Sequence, residues 1–172
     1  MYYFCIDGGE TKSNAILFDY NAKVLAKSKS DSGNVYNDVH KVEKNINSMW
    51  SDCCKKAKLN KEDIKAETIA SFGLAGVRFK KNRDYLIKNI NYFKKLILST
   101  DGYIALAATF KNESAGVLNI GTGVVAHLML KNKHSQQLSG WGFPYGDKGG
   151  GWWIGLRMVQ ETLKAIDGYI NK

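Results

Sequence analysis

The sequence is poor in proline, in cysteine and in long apolar runs, and each shortage excludes something. Pro144 is the one proline in 172 residues, so no proline-rich linker divides the chain. The three cysteines, Cys5, Cys53 and Cys54, form an odd set without C-x-x-C spacing. Cys53 and Cys54 are neighbours on a predicted helix, where adjacent side chains diverge, which argues against shared metal ligation. They read as reduced thiols of a reducing compartment. No apolar run approaches the roughly 20 residues that span a bilayer. No basic stretch precedes Tyr2 to Ile6, and Asp7 interrupts that run, so the start does not read as a signal peptide. The expectation is a cytoplasmic protein without a membrane partner.

Acidic residues are the scarcer charge, 16 against 25 basic, which leaves a formal charge of +9. Such a balance raises the question of nucleic acid. The lysines, however, are scattered through helices and turns (Lys55, Lys56, Lys58, Lys61, Lys65), often beside Asp or Glu, and no aromatic residues interleave them. Without a helix-turn-helix or RNP-type pattern, they read as a solvated surface, and no nucleic-acid partner is expected.

What is present is apolar patterning at both periods. Residues 2–6, 13–20 and 24–30 read as three strands joined by short turns, hence an antiparallel meander. Val42, Ile46, Met49, Cys53 and Ala57 step by three and four along a helix at 38–58, with Asn37 or Asp38 as its N-cap. A buried strand at 67–74, a helix at 82–93, a strand at 96–98 and an alanine-rich helix at 103–110 follow. Strands from Gly116 and Val124 flank a tight Gly121-Thr122-Gly123 turn. A glycine-rich loop, 139–151, leads to a last helix near 152–167 striped by Trp152, Leu156, Val159, Leu163 and Ile166. The order predicts an α/β, ribonuclease-H-like domain: a mixed sheet, its first three strands antiparallel, with helices on both faces.

Four segments carry chemistry. Asp7-Gly8-Gly9-Glu10-Thr11 is a hairpin tip whose glycines admit close approach and offer bare N–H groups, with Thr11 adding a hydroxyl donor. A carboxylate at the end of a strand can hold Mg²⁺ through water. Gly121-Thr122-Gly123 suits a second phosphate cradle. Asp101, ending Ser99-Thr100-Asp101, is placed either to accept a proton from an attacking hydroxyl or to cap the helix after it. The segment from Gly140 to Gly155 holds Asp147 among glycines and tryptophans, as a loop that hugs a ligand would.

That last segment resembles the Gly-Trp-Gly-x-x-x-Gly-Asp-x-Gly signature of N-acetylglucosamine kinases, bacterial glucosamine kinases and the related BadF/BadG/BcrA/BcrD-type ATPases. Asp7-Gly8-Gly9 with Thr11 resembles the family's first phosphate motif and Gly121-Thr122-Gly123 its second. In order, the motifs run from Tyr2 to about Gly168. The resemblance implies the actin-like ATPase superfold and ATP-dependent phosphorylation of an amino sugar, glucosamine or N-acetylglucosamine, at its 6-hydroxyl. It implies Asp101 as the catalytic base, Asp147 and Asn34 as binders of sugar hydroxyls, and Gly76, Trp141 and Gly142 as lining of the sugar pocket. Thr11 and Thr122 would touch ATP phosphates, and Asp7 would hold Mg²⁺ through water.

Some positions depart from the pattern. Glu10 stands where the family has glycine, which would strain a left-handed backbone and set a carboxylate against phosphates. Val124 replaces a serine, Gly102 an alanine and Lys148 an often acidic residue. The resemblance covers a single N-terminal lobe, residues 1–172; the family's second lobe is absent, and its docking surface would be exposed for it or for a homo-oligomer. Two further readings follow: a degenerate, non-catalytic sugar-binding module, or a BadF-type activator ATPase, whose iron–sulfur cluster would need cysteines placed differently from Cys53 and Cys54.

Overall fold

The computed structural model describes residues 1–109, 113–131 and 134–170. The chain divides into two compact units, Met1–Ile104 and Ala105–Lys172.

In the first unit, β1 (Tyr2–Gly8), β2 (Lys12–Asp19) and β3 (Val24–Asp31) precede α1 (Val39–Ala57) and α2 (Lys61–Lys65). Then come β4 (Thr68–Leu74), α3 (Lys80–Asn89), β5 (Lys95–Ser99) and the start of α4 (Asp101–Thr109). The sheet runs β3-β2-β1-β4-β5. Its β1–β2 and β2–β3 pairs are antiparallel, while β1–β4 and β4–β5 are parallel, as the meander followed by crossover helices requires. The expected mixed sheet with three antiparallel strands is therefore present.

Helix α1 forms where the periodicity places it. Asp38 is its cap, its Oδ1 accepting from the Lys41 N–H at 2.9 Å. Lys58 closes it in the left-handed region at φ 57°, its N–H reaching the carbonyls of Cys54 and Lys55. The stripe Val42, Ile46, Met49 and Cys53 is buried together with Trp50 and Cys54. Against it lie Phe4 and Phe72 of neighbouring strands and Phe93. Phe4 meets Trp50 edge-on at 5.1 Å, and Trp50 meets Phe93 at 5.1 Å. Each such side chain, fully withdrawn from water, contributes about 1.5–3 kcal/mol or more before entropy is counted.

The helix expected at 82–93 forms earlier and ends sooner. Ile90 leaves helical backbone at φ −115°, and Asn89 turns its amide back onto the Tyr85 carbonyl at 2.8 Å. Phe93 is thereby released to join the aromatic cluster. Helix α2 was not anticipated; one turn capped by Asn60 is too short to show a period. The predicted end of the alanine-rich helix at residue 110 lies outside the described residues.

Alternation along β4 fixes which helix covers which face. Phe72 packs toward α1 through Phe4, so Gly73 faces the opposite way. A Cβ on Gly73 would strike the Ile104 side chain of α4. Helices therefore lie on both faces.

The second unit holds the rest of α4 and an antiparallel meander of β6 (Ala115–Ile120), β7 (Val124–Met129) and β8 (Ser135–Ser139), followed by α5 (Gly151–Ile166). The predicted hairpin is present, closed by Gly121 N–H to the Gly123 carbonyl at 2.9 Å. β8, a polar edge strand without apolar alternation, was not anticipated. α5 has the expected stripe but buries none of it: Val159 is 56% and Ile166 68% exposed.

Candidate functional site

Within the first unit the candidate residues gather at the carboxyl end of the parallel strands, where α/β sheets bind ligands. The register sets Asp7 of β1 beside Gly73 of β4, and Gly73 beside Ser99 of β5. Side chains in register share a face, so Asp7 lies on the face that α4 covers, and Asp101 opens that helix. The two aspartates feel each other. Partial loss of water, and then the charge of Asp101, push the Asp7 carboxyl above its ordinary value, while Lys12 opposes the shift. Gly73 between them has no side chain, and Ile104 fills that space.

Asp101 is not the helix cap. The Tyr103 N–H goes to the Thr100 hydroxyl at 3.1 Å, while Asp101 Oδ1 takes the Gly102 N–H at 2.8 Å. Capping is thus supplied by Thr100, and Asp101 retains its other oxygen for a ligand. Between the alternatives left by the sequence, the local geometry removes the purely capping role.

The first glycine tip is locked to two other segments by its own backbone. Gly9 N–H closes the hairpin on the Lys12 carbonyl at 3.0 Å. The Gly8 carbonyl accepts from Ala75 N–H at 2.8 Å, and the Gly9 carbonyl from Gly33 N–H at 2.9 Å. These contacts need glycine: a Cβ on Gly33 would stand 2.5 Å from the Gly8 Cα. Gly76, at φ 72°, packs so closely that a Cβ there would meet Asn34 Oδ1 at 2.5 Å. The structure thereby brings Gly8, Gly9, Asn34 and Gly76 into one cluster. Thr11 stands exposed at the hairpin tip.

Asn34 is firmly oriented. Its Oδ1 accepts the Tyr36 N–H at 2.9 Å, which assigns the amide, and its Nδ2 donates to Glu10 Oε2. Asn37 Nδ2 donates to the other Glu10 oxygen at 3.0 Å. Glu10 is outside the left-handed region, so the strain expected of a non-glycine residue does not arise. Its carboxylate turns to the two amides. Sequence reasoning missed this partnership, for which the clustered Asn34 and Asn37 were the available signal. It also missed the exposed Tyr36 and Phe79 rings, 4.6 Å apart, that stand beside Asn34.

In the second unit, the Gly121 and Thr122 carbonyls accept the Gly151 and Trp152 N–H groups at 2.8 and 3.1 Å, tying the second tip to the start of α5. Gly123 lies against the Asp147 carboxylate. Asp147 bears two costs at once: a left-handed φ of 62° and a buried Oδ1 without a hydrogen-bond partner among the described residues. Strain and an unsatisfied oxygen at one residue are costs that gather at functional positions. Trp141, at 82% exposure, and Gly142 lie in the loop before it, where the Phe143 ring meets that of Trp152 at a tilt of 43°, centroids 3.9 Å apart.

The residues fit a magnesium nucleotide of the water-mediated kind. Among the described residues no group of three or more His, Cys, Asp or Glu could hold a metal alone, and Asp7 is the carboxylate that would face one. The thiols suit a cluster poorly: Cys53 and Cys54 are buried on α1 and pushed up to about 11 and about 12, by burial first. Among the described residues no helix is long and apolar enough to cross a membrane.

Comparison with known proteins shows relatives along nearly the whole chain. The chain is 27% identical over 167 residues to a glucosamine kinase of Vibrio cholerae, covering 97% of this chain and 56% of that protein. It is 26% identical over 167 residues to an N-acetylmuramic acid/N-acetylglucosamine kinase of Clostridium acetobutylicum, covering 96% of this chain and 55% of that one. The chain thus spans about half the length of the curated relatives it matches. A solved structure from Chromobacterium violaceum, assigned as an N-acetylglucosamine kinase, superposes with a TM-score of 0.90 at 24% identity, over 99% of this chain and 60% of that one. The fold is that of the actin-like ATPases and sugar kinases. A profile of the BadF/BadG/BcrA/BcrD ATPase family matches residues 5–172, and the chain belongs to that family.

Proposed function

We propose that this chain is the N-terminal lobe of a cytoplasmic, ATP-dependent kinase that phosphorylates glucosamine or N-acetylglucosamine at the 6-hydroxyl. The observation that carries the reading is the pair Asp7 and Asp101, which the parallel register of β1, β4 and β5 brings to the carboxyl edge of one sheet. Asp101 is the base: it accepts the proton of the sugar hydroxyl as that oxygen attacks the γ-phosphate. Asp7 keeps a negative charge directed at the metal side of the nucleotide. Mg²⁺, when bound with ATP, supplies neutralisation of phosphate charge. The Gly8-Gly9 tip and Thr11 offer N–H and hydroxyl donors to phosphate oxygens, as do Thr122 and its flanking glycines.

Asn34 and Asp147 orient the sugar, Asn34 as a donor and Asp147 as an acceptor with an unfilled oxygen. By the family resemblance, Gly76 in the first unit and Trp141 and Gly142 in the second are further sugar contacts in the same reading. The kinase names of the relatives support the substrate class. A second lobe, or a second copy of this chain, would complete the nucleotide site and exclude water from it.

The test is ADP release by the 172-residue chain with Mg·ATP, in the presence of glucosamine, of N-acetylglucosamine and of no sugar. Release that depends on one sugar and falls about 10²–10⁴-fold in Asp101→Ala supports the reading. Sugar binding without release would make the chain a non-catalytic sugar-holding module, a reading that Val124, lacking the hydroxyl of serine, favours.

A further inference from the structure

We propose that Glu10 is a positioning residue that straps the phosphate hairpin to the sugar-binding loop and presents Asn34 to its ligand. The inference rests on the reading of Asn34 as a sugar contact. Glu10 sits in the tip between β1 and β2, yet each of its oxygens takes an amide from a segment more than twenty positions away: Asn34 Nδ2 on Oε2 and Asn37 Nδ2 on Oε1. An amide group has two N–H donors and one carbonyl. For Asn34 the carbonyl is used by the Tyr36 N–H and one donor by Glu10, which leaves one N–H with a single direction. Without the carboxylate the amide would be held at one end only, and that donor would lose its aim.

The strap has a second consequence. The same hairpin is tied through Gly9 to Gly33, adjacent to Asn34. Asn37 precedes the cap of α1, so Glu10 draws together the hairpin, the loop and the start of that helix. A ligand that orders the hairpin therefore orders the loop. Nucleotide phosphates on one side and a sugar on the other must favour each other's binding through Glu10, and by the same factor in both directions.

The experiment uses ¹⁵N-labelled chain, with Glu10→Gln and Asn37→Ala beside the wild type, and melting temperatures to show that all three are folded. Glutamine keeps the shape but offers one acceptor oxygen and sets an NH₂ group against an asparagine NH₂. Without ligand, the side-chain amide signals of Asn34 and Asn37 should both move in Glu10→Gln, and the Asn34 signal should move in Asn37→Ala. Titration with glucosamine and with N-acetylglucosamine should then show affinity weakened about tenfold in Glu10→Gln, and less in Asn37→Ala. Mg·ATP should tighten sugar binding in the wild type and fail to do so in Glu10→Gln.

Amide signals that stay in place in Glu10→Gln would refute the strap itself. Signals that move while sugar affinity stays the same would refute the positioning role. Signals that move in Glu10→Gln, beside a wild-type chain that binds neither sugar, would overturn the sugar-site reading, and with it that role, while leaving the strap as a fact of the fold.

Discussion

Gly73 offers the sharpest quantitative test of how the site is built. Replacing it with alanine adds one carbon where the backbone itself permits it, because Gly73 is not among the positive-φ glycines. That carbon would stand 2.6 Å from Cγ1 and 2.8 Å from Cγ2 of Ile104, closer than real contacts allow. Both atoms are rooted at a branched Cβ with few rotamers, so the side chain cannot swing clear and the first turn of α4 must shift. Overpacking of this kind costs about 1–3 kcal/mol, and relief from glycine's backbone entropy returns about 0.5–1 kcal/mol. The net loss should be about 0–2.5 kcal/mol, or a fall in melting temperature of up to about 10 °C for a chain of this size.

A double-mutant cycle followed by circular dichroism melting isolates the contact. In an Ile104→Ala background the atoms nearest the added carbon are gone, and Gly73→Ala should be neutral or stabilising, giving a coupling energy of about 1 kcal/mol or more. Because Asp101 lies three residues before Ile104 on the same helix, any shift carries the carboxylate with it. Sugar-dependent transfer should drop by up to about 10²-fold in Gly73→Ala. Equal stability changes in both backgrounds would refute the placement of Ile104 over Gly73, and with it the account of why the sheet carries glycine there.

Three further outcomes follow from individual groups. Asp7→Asn should raise the melting temperature at pH 7, because the folded chain disfavours the ionised carboxyl; the gain should vanish as pH falls below the ordinary carboxylate value of 3.8, where the wild-type group is neutral too, and thermal scans across pH 3–7 check the sign. Asp147→Gly should stabilise by about 1 kcal/mol in urea unfolding while weakening sugar binding, since it relieves the left-handed backbone and the orphan oxygen at a smaller entropic cost. Cys53 and Cys54 should resist alkylation at pH 8 in the native chain and react on unfolding, as thiols pushed up to about 11 and about 12 require; rapid native labelling of either would contradict their burial.

What the sequence disclosed follows the range over which its physics acts. β1 and α1 were legible because alternation, a three–four stripe and an Asp cap are local signals, and the two glycine tips were legible because a tight turn is made by its own residues. The end of α3 was not, since Phe93 continues the helical stripe and only the distant Phe4 and Trp50 draw it out of the helix. α2 and β8 were too short or too polar to carry a period.

The site divides along the same line. Asp7 and Asp101 could be picked out one at a time, at strand ends beside glycines. That they lie at one edge of the sheet depends on β1, β4 and β5 lying in parallel register, which no window of sequence contains. Whether Asp101 caps its helix was undecidable from Ser99-Thr100-Asp101, because threonine and aspartate both cap, and only the backbone path gives that duty to Thr100. Glu10 shows the limit most clearly. Beside phosphates a carboxylate looks like a defect, and reading outward from the glycine motif can only count it as one. Once Ser32-Gly33-Asn34 folds back onto the Gly8-Gly9 backbone, the same carboxylate meets two amide donors and the charge has an occupation. A departure from a family pattern is therefore best judged by what the new side chain touches, and here it touches a residue proposed to hold the sugar.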